Sequence, residues 1–432
     1  MLLIKNGYIL DPASGYEGDA DILIENGRIK KLYLGLTGLV DESLFDNLEV
    51  IDANGLYVAP GLVDVHVHFR DPGFEYKEDI ETGAKAAAKG GFTTVVLMAN
   101  TKPIVDNEET LKYILEKGKT TSIHVETCCS VSKEFKGQEL CDYENLLKKG
   151  AVGFTDDGIP LLDEALVTEA MTQLAKLQVP ISLHEEDPNL ITNNGINRGK
   201  ASEHYGIGGS PREAEVTMVA RDIEIAKKTG AVVNIQHISC KETAEMIRKA
   251  KQEGYTNIHG EATPHHFSLT EEAAIKYGTM AKMNPPLRTA EDKKAIVEAI
   301  KDGTLDIIAT DHAPHSEEEK AKAITEAPSG ILGLETAFAL GVGELVEKND
   351  MPLIDLIERM SYAPAKMYGL DAGYIKQDGP ADLIIFDPNE MWRVEGFLSK
   401  SQNSPFLGKM MLGKIKKTIC NGNVIYSDET IN

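Results

Sequence analysis

The sequence predicts an α/β fold: a (β/α)8 TIM barrel joined to a small β-sandwich built from both termini. Three observations carry that reading. Between about residue 60 and residue 365, short apolar segments alternate with charged, helix-patterned segments, eight times over. Both ends of the chain instead carry short β-patterned segments punctuated by Asn-Gly turns. Residue types able to ligate a metal stand at the C-terminal ends of five of the apolar segments. Repeated strand–helix alternation specifies a parallel α/β architecture, and eight units fit the length of a barrel.

The first terminal segment supplies 2–4 before Asn6-Gly7, 20–24 before Asn26-Gly27, and 48–51 before Asn54-Gly55. Asn-Gly between apolar runs is a strong hairpin signal, because both central residues of the tight turn need positive φ. The other end matches it with 381–386, 417–420, Asn421-Gly422 and 424–426. Neither end alone is long enough to bury a core. The chain therefore divides into 1–59 and 366–432, which share one β unit, and 60–365, the barrel.

Barrel strands are expected at 62–69, 93–98, 122–126, 151–155, 180–184, 232–238, 256–261 and 305–310. Helices are expected at 80–89, 163–176, 211–228, 241–253 and 290–301. An open, doubly wound sheet has the same rhythm. Ligand types on strands one, four, five, six and eight decide between them, since those ends converge only on a closed ring.

The site begins with His66 and His68. Side chains two apart on a strand share a face, so both imidazoles project together, with Arg70 on the same parity. Imidazole is a natural zinc ligand. Strand two ends in Asn100, strand four in Asp156-Asp157, strand five in His184, strand six in His237. Strand eight ends in Asp311, followed by His312 and His315. Singly, each has a bland explanation: a core histidine, a turn, a helix N-cap. Together at one barrel face they read as a metal site. Four ligands close one tetrahedral zinc site, whereas six (His66, His68, His184, His237, Asp311 and one of Asp156 and Asp157) suit two metals sharing a carboxylate. Two metals about 3.5–4 Å apart can hold a hydroxide nucleophile at neutral pH. Arg70, Asn100, Asn284 and His315 are the remaining polar groups at this mouth, and the Arg70 guanidinium matches a substrate carboxylate. The pair His265 and His266 can be read as a turn or as partners of the ligands. Gly206-Ile-Gly208-Gly209 has no strand leading into it and reads as a loop.

Bulk properties narrow the partners. Lys and Arg number 45 against 68 Asp and Glu, for a net charge of −23, which argues against nucleic acid and anionic membranes. Five scattered cysteines form no CxxC pair and read as reduced thiols. No signal peptide or membrane-length apolar run is visible, so a cytoplasmic protein acting on a small molecule is expected.

The motifs His-Val-His-Phe-Arg at 66–70, Phe-Thr-Asp-Asp-Gly at 154–158, Met-Asn-Pro-Pro-Leu-Arg at 283–288, Asp-His-Ala-Pro-His at 311–315 and Gly-Ile-Leu-Gly-Leu-Glu-Thr at 330–336 resemble the amidohydrolase superfamily. Within it the chain is similar, nearly end to end, to dihydroorotases of the long bacterial type (class I). The resemblance implies reversible cyclisation of N-carbamoyl-L-aspartate to L-dihydroorotate in pyrimidine biosynthesis. It implies two Zn2+ ions per subunit, bridged by Asp157 from its spacing to His184, and Asp311 as general acid and base. It also implies substrate contacts from Arg70, Asn100, Asn284, His315, Ser329 and Gly330, a homodimer, and possible association with aspartate transcarbamoylase. Hydantoinases and allantoinases usually bridge their metals with a carboxylated Lys at the end of strand four. Strand four here ends Thr155-Asp-Asp, without a Lys. The rival readings are such a cyclic amidase and a non-catalytic scaffold for the transcarbamoylase.

Overall fold

The computed structural model describes residues 1–38, 40–45 and 47–428. Eight parallel strands lie in chain order around the barrel: Leu62–Val67, Phe92–Leu97, His124–Ser130, Gly153–Thr155, Ile181–Leu183, Val233–Ile235, Ile258–Ala262 and Ile307–Ile308. The first and eighth meet through a parallel bridge between Val67 and His312, where the His68 N–H donates to the His312 carbonyl at 2.9 Å. Asp64, fully buried, reinforces this closure. Its Oδ1 accepts from the backbone N–H of both His66 and Thr310 at 3.1 Å. Burial raises its carboxyl to about 7. The strand ends carrying His66, His68 and Asp311 are thus tied together from below.

The helices form where capping and periodicity say they should. Ile80–Gly90 opens on a capping box between Asp79 and Thr82 and stops at Gly91, whose φ of 90° suits a residue without a Cβ. Ala290–Lys301 opens on a second capping box, between Thr289 and Asp292. Asp163 caps Glu164–Leu177 from just outside it. The remaining two expected helices are Glu213–Thr229 and Lys241–Gln252. No helix among the described residues is long and apolar enough to cross a membrane.

The third strand differs most from expectation. It runs on to Ser130, past Glu126, where the sequence reading ends it. The extension is buried on both faces: Cys128 packs with Val63, Val96 and Tyr368, while Cys129 faces the main core. All five cysteines are free and buried.

The two ends of the chain build one eight-stranded sheet. Tyr57–Pro60 pairs with Leu2–Asp11 on one side and with Leu383–Arg393 on the other, so the N- and C-terminal segments join edge to edge. Successive residues of Leu383–Arg393 face opposite ways, as a strand requires. Leu383 and Ile385 enter the sheet's own core with Ile4, Ile22 and Val58, whereas Ile384 and Phe386 join the barrel's core. The sheet therefore covers the barrel's flank and leaves the C-terminal mouth open.

Candidate metal-dependent active site

Four imidazoles and two carboxylates converge at the mouth. Asp157 is central. Its Oδ1 stands 3.3 Å from His66 Nε2, 3.6 Å from His184 Nδ1 and 3.7 Å from His237 Nε2, and its Oδ2 is 3.4 Å from His68 Nε2. Asp311 Oδ1 lies 3.0 Å from His68 Nε2 and 3.5 Å from His66 Nε2. Donor atoms group within 4.8 Å in three overlapping sets: His66, His68 and Asp157; His66, His237 and Asp311; Asp157, His184 and His237. Asp156 turns away: its Oδ1 accepts from the His184 N–H and its Oδ2 from the Leu161 N–H, each at 2.8 Å.

The donor set fits a metal. His66 Nε2 and His184 Nδ1 are buried without a hydrogen-bond partner, a costly state unless something else takes their lone pairs. The electrostatics agree. Burial opposes ionisation of Asp157, yet His66 and the imidazoles crowded around it hold it well below the usual carboxylate range. Asp311, against the same burial, is drawn down to about 2 by His66 and His68.

Backbone geometry aims these groups. Arg70, His237 and Asp311 adopt φ of 62°, 33° and 46°, a region that costs a non-glycine residue about 1 kcal/mol or more. Such strain clusters where a side chain has to be pointed.

A cavity of about 330 Å³ opens above, lined by most of these residues, while His66 lies beneath its floor. Arg70 reaches its wall with Nε donating to the Pro314 carbonyl at 3.2 Å. His315 Nε2–H donates to the Ser329 carbonyl at 2.8 Å. Burial and the neighbouring Arg70, Lys320 and Lys77 push the His315 imidazole far down, so it stays neutral. Asn284 Nδ2 is 3.4 Å from His184 Nε2. Gly330 has a φ of 142°, and a Cβ there would meet the Ala313 Cβ at 2.7 Å. Buried Lys320 fixes this loop by donating to the Pro328 and Gly330 carbonyls at 2.9 and 3.0 Å.

Asn100 lines the cavity but is also tied to its floor: its Oδ1 accepts from His68 Nδ1–H at 3.0 Å, and its Nδ2 donates to Asp157 Oδ2 at 3.2 Å. His312 faces elsewhere, 3.5 Å from Glu78. His266 links Thr263 to the Pro285 carbonyl, and so braces the loop bearing Asn284. Gly206 only ends the helix Lys200–Tyr205. Sequence reasoning missed Glu261, whose Oε1 lies 2.7 Å from His66 Nδ1. The signal was present, since Glu261 is an acid at the end of an expected barrel strand, like Asp157.

A parallel barrel whose strand ends gather histidines and aspartates around one cavity defines a metal-dependent amidohydrolase. Solved structures of that class superimpose well. L-hydantoinase (dihydropyrimidinase) from Arthrobacter aurescens matches 99% of this chain and 96% of its own at a TM-score of 0.86 and 25% identity. D-hydantoinase from a Thermus species matches 99% and 96% at 0.84 and 26%. In sequence, a family model described as dihydro-orotase-like matches residues 55–243. The dihydroorotase of Clostridioides difficile is 54% identical over 428 residues, 99% of this chain and 100% of that one. That of Clostridium acetobutylicum is 51% identical over 431 residues (99% and 100%), and that of Lactococcus lactis 48% over 426 (98% and 99%). The chain belongs to the dihydroorotase family of metal-dependent cyclic amidohydrolases.

Proposed function

We propose that this chain interconverts N-carbamoyl-L-aspartate and L-dihydroorotate, in pyrimidine biosynthesis, at the mouth of a barrel spanning 60–365. The observation that carries the reading is Asp157, with its two oxygens within 3.3–3.7 Å of four imidazoles on a strand end that has no lysine. His66, His68, His184, His237, Asp157 and Asp311 would hold two divalent ions, zinc by the chemistry of the donors, with Asp157 between them. When bound, such a pair activates water and polarises a carbonyl.

The chain's own residues do the rest. Arg70, Asn100 and His315 hold the substrate carboxylate, and Asn284, Ser329 and Gly330 contact the ring. In hydrolysis, Asp311 takes the proton from the attacking water and passes it to the departing amide nitrogen as the C–N bond breaks. Cyclisation reverses each step. His315, kept from charging by burial and the neighbouring cations, spends its N–H on the Ser329 carbonyl, leaving Arg70 as the cation that reads the carboxylate.

Buried reduced thiols support a cytoplasmic setting. The homodimer, the transcarbamoylase association and the shared unit of 1–59 and 366–432 rest on the family resemblance and on the pattern of the two ends. The deciding experiment is turnover of purified, metal-analysed protein on dihydroorotate, hydantoin and allantoin. Turnover of dihydroorotate alone is expected. Preference for hydantoin or allantoin would favour the hydantoinase-like reading, and turnover of none would favour a scaffold.

A further inference from the structure

One buried carboxylate grips two of the residues assigned above to the metal centre. Glu261, on the seventh barrel strand, is fully buried. Its Oε1 accepts from His66 Nδ1–H at 2.7 Å and from the His237 backbone N–H at 3.2 Å. Its Oε2 accepts from Asn234 Nδ2 at 3.0 Å. Asn234 Nδ2 also reaches Ser182 Oγ at 3.2 Å, and Ser182 shares a 2.6 Å hydrogen bond with the Tyr368 hydroxyl beneath the barrel floor. The carboxylate therefore cannot rotate without breaking contacts to three residues.

We infer that Glu261 is a positioning residue for the metal centre, a role that rests on the metal assignment of the proposed function. It acts in two ways. By accepting the proton on Nδ1, it fixes His66 in the tautomer whose bare Nε2 faces Asp157 and Asp311, at 3.3 and 3.5 Å. A carboxylate partner also makes the imidazole a stronger donor than a neutral partner does. By holding the His237 N–H, it stabilises the left-handed turn, φ 33°, that brings the His237 ring over the floor. His68 receives a neutral partner, Asn100, for the same purpose. The two imidazoles of the first strand are thus unequal, and the deeper one carries the ionic support.

Three measurements test this. The first is Zn2+ affinity by chelator competition on protein stripped of metal, for wild type, Glu261→Gln and Ser182→Ala. Losing a carboxylate behind a ligating histidine is expected to weaken Zn2+ binding about 10–100-fold. Ser182→Ala disturbs the same buried network without touching His66 or His237 and should keep wild-type affinity. The second is the melting temperature of each stripped variant, which separates lost stability from lost positioning. The third is the nitrogen NMR spectrum of wild type labelled at histidine, where His66 should carry its proton on Nδ1. This last arm stands even where Glu261→Gln fails to fold. Wild-type affinity in a folded Glu261→Gln, an equal loss in Ser182→Ala, or a proton on His66 Nε2 would each overturn the inference alone. Wild type that binds no Zn2+ would overturn the metal assignment and this role with it.

Discussion

The barrel mouth and the seam between barrel and terminal sheet are made from the same residue types, but they differ in how those residues are satisfied. At the seam, His124, Asp382 and Cys420 gather within 4.8 Å, as the site residues do. There, however, His124 Nε2 is 2.9 Å from Asp382 Oδ2, and Asp382 Oδ1 accepts from the Asn421 N–H at 2.7 Å. At the mouth, His66 Nε2 and His184 Nδ1 have no hydrogen-bond partner. The seam also has the larger cleft, about 410 Å³ beside Trp392 against about 330 Å³ at the mouth. Volume therefore does not mark the site. A cluster of metal-ligating atoms with unspent hydrogen-bonding capacity does, because such buried atoms cost free energy until something takes their lone pairs.

The comparison breaks first at Asp311. Replacing it by Ala removes a single hydrogen-bond contact, to His68, so turnover should fall about 10²–10⁴-fold while the melting temperature changes little. Near-normal kcat would take the proton-transfer role away. Next come the adjacent acids of strand four. Asp157→Ala should cut bound metal sharply with modest loss of stability. Asp156→Ala should leave metal in place but expose the His184 and Leu161 N–H groups it now satisfies, at a cost of about 1–3 kcal/mol by denaturant unfolding. The reverse pattern would make Asp156 the shared ligand. A smaller effect is expected at Arg70. Arg70→Met should raise KM for dihydroorotate about 10–100-fold, the worth of a charge-assisted hydrogen bond, with kcat within a few-fold. An unchanged KM would remove it as the carboxylate anchor.

Much of the mouth was visible in the sequence because barrel topology is a strong constraint. Once eight strands are counted, whatever stands at their ends must converge, and His66, His68, Asp157, His184, His237 and Asp311 do. Helix 290–301 was readable to the residue, since Thr289 and Asp292 write a capping box before an amphipathic run. The far end of the third strand is hidden in the sequence because Glu126 looks like an end and Cys128-Cys129 carries no β-branched signal; its burial comes from the barrel around it. The sequence marks Asn100 as a polar group at the mouth, but nothing in it shows that its amide spans His68 and Asp157. The positive φ at Arg70, His237 and Asp311 is invisible for another reason: such backbone is uncommon for any non-glycine residue, even for Asp and His, which adopt it more often than most, so only the assembled fold reveals it. Glu261 offers the sequence only an acid at a strand end, beside the more conspicuous His265 and His266 that follow it.

The seam offers the mildest test and the one that most sharpens the contrast. The hydrogen bond to Asp382 holds the His124 imidazole above its ordinary 6.5, against the burial that would lower it. A histidine raised on folding contributes stability that is complete below 6.5 and disappears as pH rises through its folded value. His124→Gln keeps an N–H to offer Asp382 but carries no charge. Wild type should therefore exceed the variant in melting temperature below pH 6.5, and the gap should shrink as pH rises above it. The His124 side chain is 36% exposed, and pairs so placed are worth less than about 1 kcal/mol. Activity should not change at any pH, because nothing at the seam waits for a ligand. A gap that stays constant with pH would mean that packing, not charge, sets the seam. A change in kcat would mean that seam and mouth are coupled, and the distinction between satisfied and unsatisfied clusters would no longer separate structure from function.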